Sequence, residues 1–264
     1  MELFKKKEKE EPKNYLTPDA KVYFQYDLGK GERILTFIIG FVIGVVVGYI
    51  FYGLPFVSLL LGIGVGVFLV PLRRKQVINK QIVTLKKQFK SLLESISTSI
   101  GAGRNVIDSF ANALTDMKEQ YSDEAYIVKE TGIILSGLNN NINIEDLLRD
   151  MAERSGIDDI MTFADVFDTC YRKGGDIKEV IASTYNIIND KIEIEMEIKT
   201  MIASAKAELS MMCAMPVVFV FVLNMMGSNI TGRGTTSGYI ATTVSLAIFI
   251  AAYFLGRKLM SIKL

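Results

Sequence analysis

Histidine and tryptophan are absent from this 264-residue chain, which has only two cysteines and five prolines. The missing histidine removes His-based acid–base catalysis and the commonest metal ligand together. Two cysteines, Cys170 and Cys213, do not make a disulfide framework; both read as small buried residues, Cys213 within an apolar run. An excess of one charge is also lacking. Thirty Lys and Arg face 29 Asp and Glu, so no overall field selects nucleic acid or an acidic substrate. No Gly-x4-Gly-Lys-Ser/Thr phosphate loop occurs, so the chain is not expected to hydrolyse ATP itself. Gly101-Ala102-Gly103-Arg104 and Lys173-Gly174-Gly175 resemble such loops only superficially; they read as helix ends, where glycine takes the left-handed conformation cheaply. Asp158, Asp159, Glu193, Glu195 and Glu197 read as solvated helix faces or turns rather than a catalytic dyad. No enzyme activity, cofactor or metal is expected.

What is present in quantity is uncharged sequence, in blocks. Ile34 to Leu72 is a run of 39 residues without a charge. A bilayer takes roughly 20 residues per helical span, so this run suits two spans, broken at Gly53-Leu54-Pro55. Gly40, Gly44 and Gly48 recur every fourth residue on the first span, and Gly62 and Gly66 on the second. Small residues at that spacing let helices approach closely, and packing within the hairpin is favoured over a dimer contact. A second uncharged run, Leu209 to Gly232, covers 24 residues. It starts a second pair of spans, about 209–226 and 239–255, separated by the polar loop 227–238. Pro216 should kink the third span or mark its first turn. Asn224, the strongly polar residue deep in that span, suits a helix–helix hydrogen bond. The spans hold no Asp, Glu, Lys or Arg, which argues against a proton relay or ion-coupled transport.

Between the two apolar blocks, residues 73–208 read as helix throughout. The first helix carries Ile78, Ile82, Leu85, Phe89, Leu92, Ile96 and Ile100 on one stripe and stops at Gly101-Ala102-Gly103. A second starts at Asn105, a third near Ser122, and a fourth runs from Asn143 to Arg154. The fifth carries Ile160, Phe163, Phe167 and Tyr171, read as core. The sixth starts at Asp176 and continues into the third span. Three starts share one grammar: Asn105-Val106-x-Asp108-x-Phe110, Asn143-Ile144-x-Asp146-x-Leu148 and Asp176-Ile177-x-Glu179-x-Ile181. Each pairs a capping residue with an acid near the helix's positive end, worth about 0.3–1 kcal/mol. Residues 192–198 alternate strictly, as a strand would, but the helical spacing resumes on both sides and helix is preferred. Short turns favour antiparallel neighbours. The expected fold is therefore an all-α integral membrane protein: four transmembrane helices and a cytoplasmic antiparallel six-helix bundle.

The flanks complete this layout. Residues 1–33 are charged and then aromatic (Tyr15, Tyr23, Phe24, Tyr26); the early part suits disorder and the aromatic part a membrane surface. The charged leader is too long for a secretory signal and is expected to be retained. Residues 1–33 hold eight basic residues, the turn at 52–53 none, the 227–238 loop only Arg233, and the tail 257–264 three. The positive-inside rule then puts both termini and the helical domain in the cytoplasm of a multi-pass membrane protein.

In order and spacing, several of these pieces resemble one family. They are Gly103 with Asn105-Val106-x-x-Ser109-Phe110, Gly137-Leu138, Ile144-Glu145-Asp146-Leu147-Leu148 and Ala152-Glu153-Arg154. Lys173-Gly174-Gly175-Asp176-Ile177-x-Glu179-Val180-Ile181, Ala203, Ala205, Ala207-Glu208 and Pro216 follow. Across about residues 85–225 the set resembles the F-type domain of the inner-membrane platform proteins of type II secretion and type IV filament systems. A single domain copy with two spans on each side is most similar to the small platform subunits of the tight-adherence (Tad, Flp) pilus branch. The resemblance implies a platform that docks on a cytoplasmic hexameric secretion ATPase, pairs with itself or a paralogous platform subunit, and passes pilin subunits from the lipid membrane into a filament. It nominates Arg104, Asn105, Lys173, Gly174, Gly175, Asp176 and Glu179 as an ATPase-facing surface. Helix capping without a partner is the competing reading of each. A membrane receptor or regulator with a signalling bundle is the alternative function; the small outside segments, a turn and a 12-residue loop, count against it.

Overall fold

The computed structural model describes residues 15–17, 20–226 and 235–259. Every regular element among them is a helix. In chain order they are α1 (Lys30–Tyr52), α2 (Pro55–Gly101), α3 (Val106–Gln120), α4 (Tyr126–Asn139), α5 (Ile144–Ser155), α6 (Asp158–Lys173), α7 (Ile177–Met225) and α8 (Thr236–Leu259). Four of them, α1, α2, α7 and α8, are long and apolar enough to cross a membrane. The chain is thus an all-helical, multi-pass membrane protein. The charged leader 1–14, most of the 227–238 loop and the end of the basic tail lie outside the described residues.

Two apolar runs are continuous with amphipathic helices, the first unexpectedly and the second as the sequence implies. The second apolar run and the first amphipathic helix are one 47-residue helix, α2, and the sixth amphipathic helix and the third apolar run are one 49-residue helix, α7. The Arg73-Arg74-Lys75 cluster does not interrupt α2, because all three residues are good helix formers. The alternating stretch 192–198 lies inside α7. Pro71 and Pro216 are both internal to these helices. Neither can donate to the carbonyl four residues before it, so each is a weak point in its ladder.

The chain forms two compact units. The first comprises the described residues up to Asp27 together with Lys75–Glu193; the second comprises Leu28–Arg74 and the described residues from Ile194 onward. These limits differ from the sequence segments 1–33 and 73–208, since the aromatic N-terminal stretch belongs with the helices rather than standing apart. Tyr23 is 1 % exposed and joins the core cluster. Its ring meets Tyr126 edge-on at 5.3 Å between centroids. A hydroxyl partner inside the unit, described below, makes that burial possible.

In the first unit six helical stretches share one core. α2 supplies Leu85, Phe89, Leu92 and Ile96, α3 Phe110 and Ala113, α4 Ile127 and Ile134, and α5 Leu147, Leu148 and Met151. α6 supplies Ile160, Phe163 and Phe167, and α7 Ile181 and Ile188. These positions recur at three- and four-residue spacing, so each helix turns one stripe inward. Phe163 packs against Phe89 and Phe167 at 5.6 and 5.7 Å between centroids. Tyr171, expected in the core, stacks on Phe167 at 5.6 Å but remains 44 % exposed, since its hydroxyl favours water. Cys170 and Cys213 are free and half-buried rather than buried.

Asp159 also departs from its expected solvated position. Its carboxylate, in the first turn of α6, receives Lys86 of α2 at 3.1 Å and Lys191 of α7 at 2.7 Å. Burial would raise its pKa, but the hydrogen bonds and charges of the two lysines outweigh that and hold it below the usual carboxylate value. One carboxylate thereby ties three helices together.

In the second unit, α1 and α2 form a hairpin turned at Gly53, whose φ is 65° and whose N–H donates to the Tyr49 carbonyl. The glycine stripes face each other across it. A Cβ added at Gly44 would lie 2.8 Å from the Gly62 Cα, one at Gly40 2.9 Å from the Gly66 Cα, and one at Gly48 2.8 Å from the Ser58 Cα. Backbone cannot yield at those distances, so glycine is required by contact within the hairpin. Asn224 of α7 donates its Nδ2 to the Ile50 carbonyl of α1 at 3.0 Å. Tyr52 meets Thr243 of α8 through hydroxyls 3.0 Å apart and stacks on Tyr239.

Gly44→Leu should therefore splay the hairpin, whereas Gly64→Leu, at a position with nothing within 4 Å, should be tolerated. Thermal unfolding of the full chain in mild detergent, followed by circular dichroism, separates the two. Equal midpoints would show that the stripe makes no contact of consequence.

Candidate partner-binding surface

The seven nominated turn residues occupy two helix junctions. At the first, α2 ends with Gly103 at φ +85°, its N–H donating to the Ile100 carbonyl at 2.9 Å while Arg104 N–H reaches the Ser99 carbonyl at 3.2 Å. This double closure satisfies the last carbonyls of α2 and requires a left-handed residue at 103, hence glycine. Asn105 then caps α3: its Oδ1 accepts from Asp108 N–H at 2.7 Å. At the second junction, Gly174 ends α6 at φ +75°, and Gly175 N–H donates to the Cys170 carbonyl at 2.8 Å. Asp176 caps α7, accepting from Glu179 N–H at 3.2 Å.

The two junctions lie near each other. A Cβ added at Gly101 would fall 3.9 Å from the Lys178 Cε. Arg104, Asn105, Lys173, Gly174, Gly175, Asp176 and Glu179 are all exposed. So are Ile107 (50 %) and Tyr171 (44 %) on the adjoining helices. Capping accounts fully for the backbone of this region and for Asn105, Gly174 and Asp176. It does not use the Arg104 and Lys173 side chains. The surface thus combines two cations without an ion pair among the described residues, the acids Asp176 and Glu179 and a small apolar element, which is the composition of a polar protein-binding rim.

The constellation that sequence reasoning missed lies inside the same unit. Arg154 of α5 is 1 % exposed. Its two terminal nitrogens grip Glu130 of α4 in a fork, at 2.8 and 2.7 Å, and its Nε donates to Asp150 at 2.7 Å. The N-terminal stretch closes the remaining valences. Tyr23 Oη donates to Glu130 at 2.8 Å, Leu16 N–H and Thr17 Oγ1 donate to Asp150 at 2.8 and 2.6 Å, and Arg154 donates to the Lys21 carbonyl at 3.2 Å. Tyr23 N–H donates in turn to the Arg154 carbonyl at 2.9 Å. Lys21 Nζ stands 4.5 Å above the Tyr126 ring.

The electrostatics follow from this packing. Burial pulls the Arg154 pKa down, but the hydrogen bonds and charges of Glu130 and then Asp150 overcome it and raise the value, so the guanidinium stays charged. Burial, reinforced by the Glu130 carboxylate, raises the Tyr23 phenol well above its ordinary value. Burial, then the charge of Lys129, lowers the Lys21 ammonium. A usable signal existed: Arg154 falls on the Leu147–Met151 stripe of α5, where an apolar residue belongs, with Asp150 one turn earlier. What that pattern could not reveal was the partner 24 residues away on α4 or the strap from the N-terminal stretch.

No family model, no curated protein and no solved structure matches this chain.

Replacing Arg154 by Ala leaves Glu130 buried without its partner and should cost about 3–5 kcal/mol. Arg154→Lys should recover little, because an ammonium cannot reproduce the fork. Urea unfolding of the full chain in detergent, read by tyrosine fluorescence, measures both. A raised folded-state phenol pKa stabilises the fold below the unfolded tyrosine value of about 10, and that stabilisation is lost as pH climbs beyond it. Wild-type stability should accordingly fall more steeply above that pH than the stability of Tyr23→Phe; parallel curves would contradict the strap.

Proposed function

We propose that this chain is a platform subunit of a type IV filament or type II secretion-like machine, closest in layout to the tight-adherence pilus branch. In this reading it sits in the cell membrane with both termini cytoplasmic and couples a hexameric secretion ATPase to the assembly of pilin subunits. The motif order set out above supports it. So does the pairing of four apolar helices with a helical unit built around one shared core.

The observation that carries the reading is the adjacency of the two glycine junctions. They are far apart in sequence, each is rigidly capped, and together they offer Arg104 and Lys173 to solvent beside Asp176 and Glu179. A surface meant only to end helices has no use for the two cations. A rigid turn bearing uncommitted charge is suited to taking force from a moving partner, because little of the displacement is lost in bending the turn.

Affinity purification of the full chain from its native membrane in mild detergent tests this. Recovery of a secretion-type ATPase is expected, and Arg104→Glu with Lys173→Glu should weaken its retention by about tenfold or more, the scale of two lost interfacial charge pairs. Recovery of a kinase or response regulator with no ATPase would replace the platform with a receptor. Undiminished ATPase retention by the double variant would move the contact elsewhere on the molecule.

A further inference from the structure

The membrane hairpin carries its charge at one end only. Between Leu28 and Arg74 the charged residues are Lys30, Glu32, Arg33, Arg73 and Arg74, four cations against one acid. All lie away from the Gly53 turn. The hairpin register pairs Gly48 with Ser58, Gly44 with Gly62 and Gly40 with Gly66. Continued by two more turns, that register sets Arg33 of α1 at the level of Arg73 of α2. Neither guanidinium has an ion-pair partner among the described residues, and both residues are exposed.

The same end of the hairpin opens. Beyond the glycine stripe a groove of about 400 Å³ lies between α1 and α2. Its lining is Arg33, Ile34, Phe37, Val67, Val70 and Pro71. Five of these are apolar and the sixth is the cation at its mouth. The volume is within the range of pockets that hold small molecules. Pro71 contributes a second feature: having no N–H, it cannot donate to the carbonyl of Val67, which lies on the groove's own wall.

We propose that this groove binds one anionic phospholipid, an acyl chain lying against Phe37, Val67 and Val70 and the phosphate between Arg33 and Arg73. The amphipathic division of the site, apolar depth with Arg33 at its rim and Arg73 at the same register level, matches the amphipathic division of the lipid. The rim falls at the end of a 39-residue uncharged run, the level at which headgroups lie. A second protein helix is a poorer occupant. The small-residue surface that close helix packing needs is already used within the hairpin, and an arriving span would have to supply an anion at this level. The inference stands on the reading of α1 and α2 as spans and is independent of the platform reading.

The test is native mass spectrometry of the full chain in mild detergent, with phosphatidylglycerol or phosphatidylcholine of the same chain length added. One phosphatidylglycerol should be retained in preference to phosphatidylcholine, and Arg33→Gln with Arg73→Gln should weaken its retention by about tenfold. Val67→Trp, which fills the groove, should abolish retention, while Val42→Trp, equally exposed on α1 but outside the groove, should not. Thermal midpoints of all variants show whether each is folded. Equal retention of the two lipids would overturn the charge recognition. Retention by Val67→Trp, or loss in a folded Val42→Trp, would overturn the groove. Displacement of the lipid by glycerol phosphate alone would reduce the site to a phosphate site without a chain.

Discussion

A guanidinium without water is the constraint on which the first unit depends. Arg154 sits where an amphipathic helix would ordinarily place a leucine, and the fold around it is arranged to satisfy its donors. Glu130 takes the fork, Asp150 takes the Nε, and the Lys21 carbonyl takes a further contact. Two carboxylates against one guanidinium leave an excess of acceptors, and the N-terminal stretch supplies the missing donors through Leu16, Thr17 and Tyr23. An apolar side chain at 154 would pack α4 against α5 as well, since well-packed apolar replacements of buried ion pairs are often neutral or stabilising. It would give residues 16–23 nothing to bind. The network is therefore best understood as the device that makes the N-terminal stretch part of the unit.

The second unit is held by different physics. Between apolar helices in lipid there is no hydrophobic gain, so close approach and buried hydrogen bonds decide which surfaces meet. Gly40, Gly44 and Gly48 supply the first by removing side chains from the contact with Gly66, Gly62 and Ser58. Asn224 supplies the second by placing its amide on the Ile50 carbonyl. Both features use few residues, and both are intolerant of substitution for a geometric rather than a chemical reason. In the first unit the corresponding work is spread over a shared core, with Asp159 pinning α2, α6 and α7 by one carboxylate.

The helical class, the apolar spans and the cap positions at Asn105 and Asp176 were legible in the sequence because each depends on local rules: run length, stripe period and the hydrogen-bonding reach of a short side chain. Boundaries were less legible. Nothing local ends a helix at Arg73, so α2 runs on through a position where composition changes but geometry does not. Tyr23 and Asp159 were misjudged for the same reason as each other. Tyr23 was read at a membrane surface and Asp159 on a solvated one, because the distant groups that satisfy them, Glu130 for the one and Lys86 and Lys191 for the other, leave no local mark. At the junction surface, the exposed glycines were legible as turns, but their adjacency is a property of packing alone.

The strap has a consequence for biosynthesis. Leu16 and its acceptor Asp150 are separated by 134 positions, with the whole α1–α2 hairpin between them. A ribosome releases Tyr23 long before it releases Glu130 or Arg154, so the aromatic stretch must wait, uncovered, while the hairpin is made and the helices to α5 follow. Synthesis runs at about 5–20 residues per second, which makes that wait several seconds or more. Closing the strap is then the return of the earliest part of the chain onto helices made much later. Until it returns, Glu130 and Asp150 lack the donors of residues 16–23, and the nascent unit exists in an open form whose closure is timed by translation.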